Sequence, residues 1–340
     1  MRLMLGTKRL TDEELIKLLR RLQRVNFGRW SQNDVTRAIS ALGWQLQHGE
    51  VDVGMWRAET GYETGAAIID RIPTQAGIKS SADFYAVELM LLRSAVRGQQ
   101  GENHRTIVFR EVLRTMLKEF GKPDVRGGDG GPWVRWRDSV LTVELHLRRF
   151  HGGVSLRLLA TDALEKVEAY SITRGDVSGW TAYTKLPELP SEPAVNDLGE
   201  FTARLSGVLG DIAGDVPIVD TAGTVILRTS DWSARYVLAT VHGGIDIEAS
   251  AAVKGSYRTG MGYLAGLGFR KPNGGANPNW TRRFGDGDRD STHTAAHMMV
   301  DALRAFGIED LYDIVYDAFT ADGERMYLPV LGIASADSMG

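Results

Sequence analysis

The sequence predicts an α+β protein made of two tandem domains, each an antiparallel sheet with helices packed mainly on one of its faces. Three observations support this prediction. The chain has 340 residues, about twice the length of an ordinary domain. Its hydrophobic pattern changes several times between the spacing of amphipathic helices and the alternation of strands. Near the middle, Pro187, Pro190 and Pro193 form a segment that suits neither a helix nor a central strand.

The proline-rich segment marks the predicted domain boundary. Each proline lacks a backbone N–H and restricts the residue before it, so residues 186–197 are expected to form an extended, fairly stiff linker. We therefore predict an N-terminal domain over residues 1–185 and a C-terminal domain over residues 198–340. Both halves have the order of a helix, antiparallel strands, a helix and further strands, which indicates a repeat in architecture rather than in sequence.

The composition is that of an ordinary globular protein, with 43% hydrophobic and 24% charged residues. The absence of Cys excludes disulfides, thiolate zinc sites and thiol nucleophiles. The first residues do not have the pattern of a signal peptide, and no segment approaches the roughly 20 apolar residues of a membrane span. These features predict a cytoplasmic protein, and the lack of disulfides fits a reducing compartment.

Charge is unevenly distributed along the chain. The net charge of −3 argues against a general nucleic-acid binder. Residues 1–190 carry 28 Lys and Arg against 23 Asp and Glu, whereas residues 191–340 carry 12 against 20. A basic half and an acidic half can attract each other or steer a charged partner, although two solvated surfaces are the simpler explanation.

The N-terminal half opens with two helices. Thr11 and Glu14 have the spacing of a capping box, and leucines then recur at helical spacing. Ser31 begins a second, short helix that Gly43 ends. A long helix is expected at about residues 102–120. The alternating segments predict strands at residues 51–58, 66–72, 84–93, 133–137, 140–147 and 154–159.

The C-terminal half is predicted in the same way from its periodicity. Helices are expected at about residues 198–212, 257–266 and 291–306. Strands are expected at residues 224–228, 235–241, 245–249 and 279–284. The end of the chain has the pattern of a hairpin of residues 311–319 and 326–331 that turns at Ala321-Asp322-Gly323.

One short pattern in the C-terminal half is distinctive. Leu267-Gly268-Phe269 is followed by Pro272 and then by Asn279-Trp280. The pattern is typical of a helix end, a loop of glycine and proline, and a strand that begins near an aromatic residue. None of these residues supplies a nucleophile, a general base or a metal ligand, so the pattern indicates structure rather than catalysis.

On this pattern and the helix that follows it, residues 197–333 resemble the YbjN-like and type III secretion chaperone-like (TY-Chap) group of small α/β domains. The resemblance implies that the chain binds a peptide or protein and has no catalytic residues. The N-terminal half, over residues 8–160, resembles an actinobacterial family of unknown function. The motifs that carry this second resemblance are Leu10 to Leu15, Ala41 to Trp44, Phe120 to Pro123 and Gly130 to Trp136.

A binding function also follows from the predicted architecture. An antiparallel sheet with helices on one side leaves a face or an edge on which another chain can bind. Aromatic residues in or near the predicted strands are candidate anchors for such a partner. They are Trp133, Trp136, Trp180, Tyr183, Trp232 and Trp280. The alternative is that most of these aromatic side chains are packed in the two cores.

Two other functions have some support in the sequence. His293 and His297 have the i, i+4 spacing of a metal pair on a helix, but Thr294 replaces the glutamate of an HExxH motif. The first helix has a basic face that can contact phosphates, although such a face is usually solvated. The basic residues of this region are Lys17, Arg20, Arg21, Arg24, Arg29 and Arg37.

We therefore predict a non-catalytic, chaperone-like or immunity-type protein that holds a partner protein or peptide. No cofactor, catalytic residue or metal ligand is assigned. A metal-dependent enzyme that uses His293 and His297, and a nucleic-acid binder that uses the first helix, are the alternatives.

Overall fold

The computed structural model describes the chain in segments that together form two compact units. The described residues are 7–47, 55–72, 82–128, 130–149, 152–174, 179–183, 195–219, 221–231, 235–250, 257–272, 279–285 and 287–336. Unit 1 comprises residues 1–126 and 130–171, and unit 2 comprises residues 127–129 and 172–340. Both units combine antiparallel strands with α-helices, which confirms the predicted α+β class.

Unit 1 contains four of the described helices and the first strands. The helices are α1 (Asp12–Leu22), α2 (Gln32–Ala41), α3 (Gly98–Phe120) and α4 (Thr161–Arg174). The strands are β1 (Thr7–Arg9), β2 (Gln45–Gln47), β3 (Met55–Glu59), β4 (Ala67–Arg71), β5 (Phe84–Ser94), β6 (Val125–Gly128), β7 (Pro132–Arg137), β8 (Leu141–Arg148) and β9 (Gly153–Ala160). The division between the units falls within β6.

The predicted capping box starts α1. The side chain of Thr11 accepts the backbone N–H of Glu14 at 3.2 Å, and the Glu14 carboxylate accepts the backbone N–H of Thr11 at 2.8 Å. These two bonds satisfy N–H groups that have no partner inside the helix. The buried face of α1 consists of Leu15, Leu18, Leu19 and Leu22. Packing of this leucine face, together with the cap, stabilises the helix.

The sheet of unit 1 has the order β7-β8-β9-β5-β4-β3-β2, and every pair with a described register is antiparallel. The long strand β5 pairs with β4 through its first half and with β1 through its last residues. α3 packs on β5, β8 and β9, and α1 packs on α3. The central strands therefore have α3 on one side and, on the other, a row of charged side chains that is in contact with α4.

This charged row is the main polar feature inside unit 1. Arg135, Glu144 and Arg157 lie directly opposite one another on β7, β8 and β9. The Glu144 carboxylate is fully buried and accepts Nε–H of Arg135 at 2.7 Å and Nη1–H of Arg157 at 2.8 Å. Glu168 of α4 accepts Nη1–H of Arg135 at 2.5 Å. Every charge in the row therefore has an opposite charge within hydrogen-bond distance.

The charges of the two arginines determine the ionisation of Glu144. Burial by itself would raise the pKa of the Glu144 carboxyl, but Arg135 and Arg157 outweigh this effect and hold the pKa at about 2. The carboxylate is therefore charged at neutral pH although it is out of contact with water.

Unit 2 contains three described helices and a second set of antiparallel strands. The helices are α5 (Leu198–Asp215), α6 (Tyr257–Gly266) and α7 (Arg289–Ala305). The strands are β10 (Trp180–Tyr183), β11 (Gly223–Thr229), β12 (Tyr236–Val241), β13 (Ile245–Ala249), β14 (Trp280–Phe284), β15 (Ile314–Thr320) and β16 (Arg325–Tyr327). Their order in the sheet is β14-β13-β12-β11-β15-β16-β10.

One face of this sheet is covered by α5 and α7, which pack against each other and on β12 and β13. A Cβ added at Gly223 would lie 2.8 Å from Ile212 of α5, so this glycine allows the helix to approach the first residue of β11. The residues on the same face of the strands are fully buried. They are Val225, Leu227, Val237, Ala239, Val241, Ile245, Ile247 and Ala249.

The predicted elements and the structure differ in several places. α4 and the strands β1, β2, β6 and β10 were not predicted, and α3 begins at Gly98 rather than near residue 102. The predicted final hairpin is present as β15 and β16, but a short 3₁₀ helix at Pro329–Leu331 ends its second arm. The predicted strand at residues 51–58 is described only from Met55 onward.

The predicted linker lies mostly outside the described residues, since only residues 195–197 of it are described. Asp197 is the N-cap of α5, and its carboxylate accepts the backbone N–H of Glu200 at 2.8 Å. β10, which the predicted boundary assigns to the N-terminal domain, pairs with β16 in unit 2. The division at residues 186–197 therefore stays a prediction.

Replacement of Glu144 by Gln is expected to lower the free energy of unfolding by about 3–5 kcal/mol, because Arg157 would remain largely buried without its carboxylate partner and Arg135 would keep only Glu168. Urea unfolding at pH 7 measures the change. Asp12→Asn, which removes a 3.1 Å ion pair with Arg9 at the surface, is the control and is expected to cost less than about 1 kcal/mol. Equal effects of the two substitutions would contradict the role of the charged row.

The effect of Glu144→Gln is also expected to depend on pH. The folded-state pKa of Glu144, about 2, lies below its ordinary value of 4.5. The stabilisation is therefore fully present above pH 4.5 and is lost as the pH falls toward about 2. The difference in unfolding free energy between the wild type and the variant should shrink over this window, and a difference that grows there would contradict the assignment.

Candidate functional site

The distinctive pattern begins with the C-terminal end of α6. The backbone N–H of Phe269 bonds the C=O of Leu264 at 3.0 Å, and that of Gly268 bonds the C=O of Ala265 at 3.0 Å. These are the two hydrogen bonds of a Schellman motif. Gly268 has φ +90°, a conformation that other L-residues rarely adopt. Phe269 is buried, so the end of the helix is fixed both by hydrogen bonds and by packing.

The rest of the pattern connects this helix end to the outermost strand. Arg270 and Thr281 of β14 exchange backbone hydrogen bonds of 2.7 and 3.1 Å. Trp280 is buried, and the Asn279 side chain donates to Tyr236 Oη at 2.9 Å and to Glu248 Oε2 at 3.1 Å. The pattern is thus structural, as predicted. Trp280 holds β14 on the helix side of the sheet, and Asn279 holds it on the opposite face.

The second face of the unit 2 sheet is turned away from α5 and α7. Its residues alternate with the buried ones along β11, β12, β13 and β15, and all of them are partly exposed to solvent. We call this set the open face. It consists of Thr224, Ile226, Arg228, Tyr236, Leu238, Thr240, Asp246, Glu248, Asp317 and Phe319.

The centre of the open face is apolar. Ile226 lies directly opposite Leu238, and Phe319 lies opposite Thr224. Thr224 also lies opposite Thr240, with the two hydroxyl oxygens 3.5 Å apart. Because directly opposite residues in antiparallel strands are in contact, these side chains form one patch of methyl, methylene and aromatic groups across three strands.

Charged side chains surround this apolar centre as ion pairs. On one side, Asp246 contacts His242 at 2.9 Å and Arg283 at 3.5 Å. On the other side, Asp317 contacts Arg228 at 3.9 Å and also pairs with Arg325. A partner that covers the centre therefore meets charged groups at its margin, which is the usual arrangement of a binding surface.

In the described part of unit 2, hydrogen bonds at the starts of helices lower the pKa of two carboxyl groups. The backbone N–H of Asn196 lowers the pKa of the Glu200 carboxyl, and that of Ser291 lowers the pKa of the Asp288 carboxyl. Both carboxylates are at the surface, beside the first turns of α5 and α7. Such shifts follow from hydrogen bonding at helix ends and do not indicate acid–base catalysis.

The structure places four of the predicted aromatic anchors in the interior. Trp133, Trp136, Trp180 and Trp280 are each 7% exposed or less, which agrees with the alternative that these side chains are packed in the two cores. Trp136 and Trp180 also use their indole N–H groups internally, on Gly121 O at 2.9 Å and on the Asp215 carboxylate at 3.3 Å. Trp133 stacks on the Arg135 guanidinium at 3.8 Å.

Trp232 and the side chain of Tyr183 lie outside the described residues. Partner binding by the predicted aromatic set therefore stays a prediction. The candidate residues that the sequence did not single out are Ile226, Leu238 and Phe319. Their signal was ambiguous, because the strands that carry them have apolar residues on both faces.

The two histidines of the metal hypothesis lie on the exposed surface of α7. The ring centroids of His293 and His297 are 4.4 Å apart, in a T-shaped arrangement. Among the described residues, no group of three or more His, Asp and Glu side chains is arranged to hold a metal ion. Two imidazoles without a third ligand do not form a structural or catalytic zinc site.

The basic face of α1 is partly engaged within unit 1. Arg20 pairs with Glu119 at 3.3 Å, and Arg21 donates to the C=O of Leu42 at 2.8 Å. These contacts reduce the positive charge available for phosphates. In the part of the chain that the structure describes, no helix is long and apolar enough to cross a membrane.

Comparison with known proteins gave one match. Residues 198–320 match the model of a family described as T3SS (YopN, CesT) and YbjN peptide-binding chaperone 3. The matched region runs from the start of α5 to the end of β15 and includes the whole open face. Searches of curated proteins and of solved structures gave no match.

This match confirms the predicted resemblance of the C-terminal half to the TY-Chap group. A peptide-binding chaperone-like region is consistent with a non-catalytic role and with a protein or peptide as partner. The resemblance of residues 8–160 to an actinobacterial family stays a prediction, because the matched region begins after them.

Replacement of Gly268 by Ala is expected to destabilise the chaperone-like region by about 1–2 kcal/mol, because alanine is strained at φ +90°. Gly262, an exposed residue inside α6 with no atom within 4 Å of an added Cβ, is the matched control. Gly262→Ala should instead stabilise the helix by about 0.5–1 kcal/mol. Hydrogen exchange of the α6 and β14 amides in the full chain measures both changes, and the same sign for both would contradict the Schellman assignment.

Proposed function

We propose that the protein is a non-catalytic, chaperone-like or immunity-type binding protein that holds an extended segment of a partner on the open face of unit 2. The observation that carries this proposal is the apolar centre formed by Ile226, Leu238 and Phe319, partly exposed within the region similar to a peptide-binding chaperone family. An apolar patch with a charged margin, on a face that none of the described helices covers, is a surface that a partner can cover.

The supporting strands make this surface rigid before a partner arrives. β11 pairs along its whole length with β12 on one side and with β15 on the other. The opposite face of the same strands is fixed on α5 and α7 by fully buried side chains. Binding of a partner would therefore lose little free energy in ordering this surface, which favours affinity.

The chemistry of the face favours a segment that is apolar in its middle and polar at its ends. The middle would contact Leu238 and Ile226, while the ends would meet the ion pairs at Asp246 and Asp317. Tyr236, held by Asn279, offers a hydroxyl group beside the apolar centre. We also propose that the protein acts in the cytoplasm, which the complete absence of Cys supports.

The substitution Leu238→Lys is expected to reduce capture of the partner about tenfold or more, because a charge would enter the apolar centre. Lys was chosen because Leu238 lies opposite Glu248, so the new charge has a partner in the free protein. The measurement is affinity capture of the tagged full chain from its native cytosol, with the bound proteins quantified by mass spectrometry.

The matched control is Ile107→Lys, which makes the same change at an exposed apolar residue of unit 1 that is 54% accessible. Capture should be retained in this variant. Equal capture by the wild type and a folded Leu238→Lys variant would show that the partner binds elsewhere and would overturn the proposal.

A further inference from the structure

The outer edge of the unit 2 sheet is basic although its surroundings are acidic. Residues 191–340 carry 12 basic and 20 acidic residues. Four of the 12, Arg270, Lys271, Arg282 and Arg283, occupy two short segments that lie side by side at this edge. All four side chains are exposed. We call this group the basic edge.

The register of the strands places these charges on both sides of the edge. Arg283 lies opposite Asp246 and therefore projects on the open face. Arg282 lies opposite Ile247 and projects on the helix side, where its guanidinium is 5.6 Å from the Phe284 ring centroid. A chain that ran along the edge would meet positive charge whichever way its side chains point.

The hydrogen-bond pattern shows which backbone groups of β14 face outward. Along β13, the backbone groups of successive residues bond β12 and β14 in turn. The N–H of Ser250 bonds the C=O of Tyr236 at 3.0 Å, which shows that the even-numbered residues bond β12 and the odd-numbered ones bond β14. In β14, the backbone groups of Trp280, Arg282 and Phe284 therefore bond β13, whereas those of Thr281 and Arg283 point away from it. Thr281 is bonded by Arg270. The backbone N–H and C=O of Arg283 have no hydrogen-bond partner among the described residues.

We propose that the basic edge receives an extended acidic segment of a partner protein by strand addition. The segment would bond the backbone of Arg283 and continue the pairing that Arg270 already makes with Thr281. Its carboxylates would meet the four basic side chains. Each exposed ion pair contributes little alone, so recognition depends on the group and on the backbone bonds together. This surface is distinct from the apolar centre of the open face, and either can bind if the other does not.

Another explanation of the basic edge is protective, because Arg and Lys on an outer strand prevent edge-to-edge aggregation. A third is attraction of nucleic-acid phosphates. The acidic strand is favoured because the edge offers backbone hydrogen bonds as well as charge, and an extended peptide uses both.

The test measures fluorescence anisotropy of labelled peptides with the full-length chain. The probe is a short peptide of alternating Val and Glu, and the reference is the matching peptide of Val and Lys. Saturable binding of the Val–Glu peptide at low salt is expected, together with weakening at high salt and no binding of the Val–Lys peptide. A Val–Glu peptide with alternate amides N-methylated keeps its charge but loses backbone donors, and it should bind about tenfold more weakly.

Variants of the protein separate charge from backbone pairing. Arg282→Glu with Arg283→Glu should weaken binding at least about tenfold. Arg283→Ala removes the guanidinium alone, and Arg283→Pro also removes the outward N–H, which an edge strand tolerates. The Pro variant should therefore bind more weakly than the Ala variant. The charge control is Arg24→Glu with Arg114→Glu, two exposed arginines of unit 1, and it should bind normally. Leu238→Lys should also bind, which separates this surface from the proposed partner site.

Three outcomes would overturn the proposal. One is no saturable binding of the Val–Glu peptide at low salt. Another is unchanged binding in both the double Glu variant and Arg283→Pro, especially if the double Glu variant aggregates, as the protective explanation predicts. The last is binding of a short single-stranded oligonucleotide by the basic edge without binding of the Val–Glu peptide.

Discussion

The register between β12 and its two neighbours is the constraint on which unit 2 depends. Leu238 lies opposite Ile226 on one side and Glu248 on the other, while Val237 and Ala239 face the helices. A shift by one residue would exchange the two sets and place Glu248 among the helix-facing apolar residues. The fully buried packing against α5 and α7 makes that exchange very unfavourable. The same packing therefore determines which residues remain exposed on the other face.

The distinctive sequence pattern is explained by the contacts that hold β14 at the edge of the sheet. Gly268 ends α6, Arg270 pairs with the outer strand, and Trp280 fills the core beneath it. Asn279 connects β14 to Tyr236 and Glu248 on the opposite face. Residues without any catalytic chemistry thus hold the last strand in position. Their roles are structural, and the proposed binding surfaces consist mainly of neighbouring residues.

The sequence was sufficient for the fold class and for the features that depend on local chemistry. The capping box at Thr11 and the helix end at Gly268 could be predicted because their hydrogen bonds involve residues close together in the chain. The exposure of Trp133 could not be predicted from the sequence, because it depends on strands and helices that are distant along the chain. The apolar centre was missed for a related reason. Ile226 sits between Val225 and Leu227, and an apolar run does not tell which of its residues is covered by a helix.

The buried charged row of unit 1 also limits how this part of the protein can diverge. Glu144 is paired with both arginines, so its loss removes a partner from Arg135 and from Arg157 at once, and a change at this position favours changes at the other two. Their spacing is fixed by the two hairpins, with Glu144 nine residues after Arg135 and Arg157 thirteen residues after Glu144. Three charged residues at fixed separations, Arg, Glu and Arg, can persist after general similarity is lost. They provide a way to recognise distant relatives of unit 1.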